Sequence, residues 1–239
     1  MGVTALAWIY LIWMAWAMDM PMDESMAGVR PWTGMDFVMM FLMWTIMMVG
    51  MMLPTAIPMT LIYAAIARKA GEREQYVAPT AMFVGGYLLM WTVFSVVATL
   101  LQWALDQAAL LSPMMVTTSP VLGAGILVCA GLYQFAPYKN ACLDHCRSPA
   151  DFISRHWRPG AGGALRMGVH HGGFCLGCCW ALMLLLFFGG VMNLLWIAAI
   201  TLFVLLEKVL PAGAQGGRWT GVAMVAAGVL LLARGWSGP

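Results

Sequence analysis

The sequence predicts an all-α protein: a polytopic transmembrane helix bundle of about seven spans, or six if the short first helix does not cross. Three observations predict it. Of 239 residues, 62% are hydrophobic and 9% charged, where a soluble domain carries roughly 25% charged residues. So few charges cannot clothe a surface facing water, and lipid must be the solvent for most of it. Apolar stretches near the about 20 residues that cross a hydrocarbon core recur along the whole length. Finally, Lys and Arg collect in every second loop, as the positive-inside rule requires.

The expected helices run over residues 3–18, 35–67, 78–105, 115–137, 172–188, 191–206 and 219–233. The first and sixth are short, and the second is long enough to tilt or protrude. The opening MGVTALAWIYLIWMAWAM lacks a basic leader and a small-residue cleavage site, so it reads as a retained helix rather than a removed signal peptide. No internal repeat or low-complexity linker divides the chain, and residues 1–239 read as a single transmembrane domain.

The loops give the orientation. The first holds Asp19, Asp23, Glu24 and one Arg30; the second holds Arg68, Lys69 and Arg73; the third has neither Lys nor Arg. The fourth, residues 138–171, is the longest and carries Lys139, Arg147, Arg155, Arg158 and Arg166. A Gly189-Gly190 turn makes the fifth, and Lys208 and Arg218 mark the sixth. The amino terminus is therefore expected on the cytoplasmic face of a bacterial inner membrane, with Arg234 the one mild violation. Within the fourth loop, residues 149–159 are polar with spaced aromatics. They fit a helix lying along the interface with Phe152 and Trp157 among headgroups, or a plain solvated loop helix.

Five of the six cysteines form two clusters. CLDHC supplies Cys142 and Cys146; HGGFCLGCCW supplies His171, Cys175, Cys178 and Cys179 where the fifth span begins. Residues three or four apart share a helical face, so His171, Cys175 and Cys178 form one stripe, and Cys142 and Cys146 form another if their segment is helical. Both clusters fall on the same side of the membrane by the loop charges. Thiolates are soft donors for Cu(I), Zn or iron–sulfur clusters, and imidazole suits Zn, Cu and Fe. The reducing cytoplasm disfavours a structural disulfide. Redox thiols and plain packing are the alternatives. A Cys-x-x-Cys at a helix start is also a thiol-redox arrangement, although no alternation of strands and helices surrounds it here. Cys129, alone in the fourth helix, reads as a packing residue, His145 and His156 as surface residues, and His170 as facing away from His171.

Methionine is the second signal: 23 in the chain. The outer loop MDMPMDESM carries Met18, Met20, Met22 and Met26, and the second helix carries Met39, Met43, Met47 and Met51 at every fourth position, with Met40, Met48 and Met52 beside them. Thioether is a neutral soft ligand for Cu(I) that needs no deprotonation. In the loop, methionines alternating with acidic and turn residues resemble the Mets motifs of copper importers and copper-resistance proteins, and a metal role leads. In the helix, packing leads. A methionine ladder running inward toward the cysteines is nonetheless a route that a soft ion can use. Pro54 and Pro58 interrupt that helix, which suggests a broken span lining a cavity. Glu207 reads as an interfacial charge at a helix end, or as a hydrogen-bond acceptor behind the metal site.

The strings MWTIMMVGMMLPTAIPM, GLYQFAPYKNACLDHCRSP, HWRPGAGGALRMG, HGGFCLGCCWALM and FGGVMNLLWIAAITLFVLLEKVLP resemble the bacterial family called predicted metal-binding integral membrane proteins. The resemblance covers about residues 32–234. It implies metal binding and carries over Cys142, Cys146, His171, Cys175, Cys178 and Cys179; Met18, Met20 and Met22 are outside it. Copper as Cu(I) is the expected ion, with zinc and iron as alternatives. The expected partners are the bilayer, the metal and a soluble metal-binding or redox protein. The alternative is a metal-containing redox enzyme or electron-transfer subunit. A net charge of +2 without a basic stripe excludes a nucleic-acid partner. No CxxCH, HExxH or P-loop string is present, and no catalytic base can be named.

Overall fold

A computed structural model describes residues 2–18, 32–69, 77–112, 115–210 and 213–236, without the side chains of Ala17, Met18 and Ala214. Met20 and Met22 lie outside the described residues, as does the Met18 side chain. The described residues form helices α1 (Gly2–Met18), α2 (Gly34–Lys69), α3 (Val77–Gln107), α4 (Pro120–Tyr133), α5 (Pro137–Arg147), α6 (Pro149–His156), α7 (Gly160–Gly189), α8 (Leu194–Val209) and α9 (Gly213–Trp236). Among them no strand occurs beyond an isolated bridge between Leu111 and Thr117.

Four helices, α2, α3, α7 and most of α9, are long and apolar enough to cross a membrane. The pair α4 and α5 makes a fifth candidate, bent by 64° at a short break. The helix expected over 115–137 is thus a broken pair. Gln134, Phe135 and Ala136 form the break, and Pro137 starts α5 at a position where its missing N–H costs nothing.

The expected loop 138–171 is a correction, because it is helical almost throughout. On α5, Lys139, Cys142, Leu143 and Cys146 repeat at helical spacing and form one face, with the first three buried. On α6, Phe152 and Ile153 are buried in a core with Met59, Tyr63, Phe83 and Met167. Phe152 therefore faces the bundle interior, not headgroups, and Trp157 packs on Tyr63 with ring centroids 5.6 Å apart. The last segment, expected as loop up to residue 171, belongs to α7, which begins at Gly160.

Helix α7 is the centre of the bundle: α3, α4, α5 and α8 all pack on it. Its amino-terminal half is held by small residues. A Cβ at Gly168 would meet the Phe83 carbonyl, one at Gly172 would come within 2.9 Å of the Met90 Cβ, and one at Gly86 of α3 would meet the Leu165 carbonyl. This Gly-x-x-x-Gly spacing lets two backbones touch.

Helix α2 continues through Pro54 and Pro58. Pro54 has no N–H to offer the Gly50 carbonyl four residues back. The vacancy is filled by the Trp8 indole of α1, whose Nε1 donates to Gly50 O at 3.2 Å. At the far end, Trp32 Nε1 donates to Asp106 Oδ2 at 2.8 Å and ties the start of α2 to the end of α3.

Candidate metal centre

The methionines of α2 turn inward. Met43, Met47, Met48, Met51 and Met52 are fully buried in one core with Tyr87, Trp91, Cys175, Cys178, Cys179 and Met183, whereas Met39 is exposed. At one end of this row Gln102 is fixed by the Trp44 indole, which donates to its Oε1 at 2.6 Å. The Gln102 amide in turn donates to two thioethers, Met40 Sδ at 3.4 Å and Met115 Sδ at 3.2 Å. At the other end the Met52 carbonyl accepts from Tyr87 Oη and from Thr55 Oγ1, each at 2.9 Å.

That end meets the cysteines. Cys175 Sγ is 3.1 Å from Tyr87 Oη and 2.9 Å from Lys208 Nζ, and Lys208 also donates to Thr55 Oγ1 at 3.0 Å. Four helices therefore converge on one sulfur: α2, α3, α7 and α8. A fifth, α5, brings Cys146, whose thiol faces those of Cys175 and Cys178. Cys178 and Cys179 sit beside Cys175, and both donate S–H to the Cys175 carbonyl, at 3.1 and 2.9 Å. All six cysteines are free thiols. Cys175, Cys178 and Cys179 are fully buried, and Cys146 is the least enclosed residue of the four.

His171 stands one turn before Cys175, within electrostatic reach of it. Its ring is held among Tyr87, Phe152 and Phe83 at centroid distances of 5.6, 5.5 and 6.0 Å. It is 3% exposed, and its Nδ1 has no hydrogen-bond partner. Buried polar nitrogens are nearly always satisfied. An imidazole nitrogen free of hydrogen bonds and thiols one helical turn away are donor types that suit a soft or borderline ion.

Of the six predicted inner ligands, the structure brings Cys146, Cys175, Cys178 and Cys179 together, with His171 one helical turn away on α7. Cys142 lies against Gly177, 2.8 Å from where a Cβ there would stand, and within electrostatic reach of Cys178. Among the described residues, no three His, Cys, Asp or Glu side chains stand in a ready-made metal-holding geometry, so closing the site requires side-chain rotation. Cys129 is exposed on α4 and is not the packing residue expected.

The other histidines gather elsewhere. His145 stacks on Phe174 at 4.1 Å, His170 meets the same ring at a tilt at 4.8 Å, and His156 meets His170 edge-on at 4.7 Å. A cavity of about 270 Å³ beside His156 and His170 is also lined by Arg158 and Arg166. A cation would meet two guanidinium charges there.

Sequence reasoning missed Tyr87 and Thr55, and took Lys139 and Lys208 for loop charges. Both lysines are buried, at 1% and 8% exposure. Lys139 forms an ion pair with Glu207 and donates to Gln134 Oε1. Glu207 thus serves Lys139 rather than the thiol group. The available signal was an acid and a base side by side, closing an apolar run, because ionisable residues at such depth are rarely idle.

No curated protein and no solved structure matches the chain. A family model described as a copper chaperone, PpoB2, matches residues 41–231. The match takes in every member of the thiol group together with Tyr87, Lys208 and the buried methionines, and leaves out Met18, Met20 and Met22. Covering most of the chain, it shows that this protein belongs to the PpoB2 copper chaperone family.

Proposed function

We propose that this protein is a membrane-embedded copper handler that takes up Cu(I) and holds it, for delivery to a partner, at Cys146 and Cys175, with His171 and the Cys178 thiol beside them. The observation that carries the reading is the meeting of the Cys146 thiol of α5 with the Cys175 and Cys178 thiols of α7, one helical turn from a buried His171 whose Nδ1 has no hydrogen-bond partner. Membership in a copper chaperone family supports the choice of metal. Soft sulfur throughout the buried end of α2 supports the +1 oxidation state.

The bundle lies in a bacterial inner membrane, with the amino terminus on the cytoplasmic side. Removing the buried Lys139 and Lys208 from the loop charges leaves this orientation standing, since Arg147, Arg155, Arg158 and Arg166 still cluster between the fourth and fifth spans of the sequence reading. Met18, Met20 and Met22 capture the ion on the outer side. The buried methionines of α2 line its way to Cys175, and the half-buried Cys146 hands it to a soluble metal-binding partner.

The test is metal content by mass spectrometry on protein purified without chelator. The wild-type chain is expected to retain copper, and the Cys175→Ser/Cys178→Ser variant to lose it while eluting as the same monodisperse species. Undiminished copper in that variant would refute the site.

A further inference from the structure

Two thiolates and one Cu(I) ion carry a net charge of −1. In an apolar interior an uncompensated charge costs several kcal/mol, so such a centre needs a single positive partner that is not itself a ligand. Lys208 occupies that position. Its ammonium is 2.9 Å from Cys175 Sγ and 3.0 Å from Thr55 Oγ1, and the residue is 8% exposed. Among the described residues the only buried carboxylate is Glu207, which faces away to pair with Lys139. Lys208 therefore donates to sulfur and a hydroxyl and meets no buried carboxylate.

We propose that Lys208 is the counter-cation of a bis-thiolate copper(I) centre formed by Cys146 and Cys175, and that it makes this centre selective for a monovalent ion. The proposal rests on the thiol group being where copper is held. Cys178 and Cys179 stay thiols, their S–H groups engaged by the Cys175 carbonyl. His171 is a neutral donor and leaves the charge count unchanged. With Cu(I), two thiolates and the ammonium, the buried charge sums to zero. A divalent ion in the same place leaves +1 with no carboxylate to absorb it. Each thiol that still carries its proton releases it to water as its Cu–S bond forms, and no electron is transferred. The Thr55 hydroxyl, anchored on the Met52 carbonyl, fixes the ammonium without adding charge.

The experiment compares Cu(I) and Zn(II) affinity by chelator competition, under reductant, on the full chain in detergent. Wild type and Lys208→Arg, which keeps the charge, are expected to prefer Cu(I). Lys208→Met is expected to lose about tenfold or more in Cu(I) affinity with Zn(II) affinity unchanged or raised, so the preference collapses. Lys208→Gln replaces it should Lys208→Met fail to fold. A neutral variant that keeps the wild-type ratio of the two affinities overturns the proposal, as does loss of preference in Lys208→Arg. Wild-type protein that holds neither metal instead overturns the thiol site itself.

Discussion

Two lysines are buried in this bundle, and their surroundings are opposite. Lys139, on α5 just past the break, has a carboxylate partner, Glu207, and the Gln134 amide oxygen. Gly217 of α9 leaves room for that carboxylate, since a Cβ there would collide with Glu207 Oε1. Lys208, one residue after Glu207, faces the other way and meets a thiol and a hydroxyl. The first arrangement is closed: opposite charges meet with little left to bind. The second is open, because a sulfur that accepts from an ammonium still has lone pairs for a metal. Adjacent residues on one helix thus serve two different polar clusters, and α8 links the two.

The comparison can be broken by removing one charge at a time. The largest effect is expected for Glu207→Ala. Stranding a buried partner charge costs about 3–5 kcal/mol, so the variant should unfold well below wild type in detergent melting or lose folded yield. Replacing both partners, as in Lys139→Met/Glu207→Leu, should recover most of that loss, since apolar pairs of similar size are often as stable as buried ion pairs. No recovery would mean the pair does more than hold the helices. Next, His171→Ala should leave folding largely intact and weaken Cu(I) retention by about tenfold, the scale of one charge-neutral ligand or its immediate support. Equal copper affinity in that variant would remove the imidazole from the centre.

A smaller effect is expected for Met47→Leu, a volume-conserving swap that costs less than about 1.5 kcal/mol but removes one sulfur from the buried row. Loading from added Cu(I) should slow while final occupancy holds; an unchanged loading rate would assign that methionine to packing alone. The smallest belongs to Arg155→Ala. The Arg155–Asp151 pair is exposed, with side chains 70% and 54% accessible, and bridges one turn at the surface. Such pairs contribute about 0–1 kcal/mol, so its melting temperature should match wild type, and a clear shift would show that α6 is held by more than its buried face.

Hydropathy found the long helices because their apolar length is their own signal. The stretches read as 35–67 and 78–105 became Gly34–Lys69 and Val77–Gln107. It missed the first three turns of α7, where Gly, His and Arg depress hydropathy. That half is held instead by close backbone contact with α3 at Gly86, Gly168 and Gly172, which composition does not reveal. In α5 and α6 the helical repeat was present at Lys139, Cys142, Leu143 and Cys146, but their polar residues made them read as loop. The site followed the same division. The stripe of His171, Cys175 and Cys178 was legible because helical spacing alone aligns it. Tyr87, Thr55 and Lys208 were not, because each comes from a separate helix and only tertiary packing brings them to Cys175. Lys208 was read as positive-inside charge, a statistical rule that says nothing of where one ammonium points.

The indole at Trp8 has a practical consequence. Because it occupies the acceptor that Pro54 leaves bare at Gly50, the first helix is a fitted part of the second, and trimming it away uncovers a peptide oxygen in oily surroundings. Expression designs that shorten the front of the chain, or that fuse a bulky partner close to Trp8, would therefore loosen α2 itself, the element that carries the buried row of sulfurs.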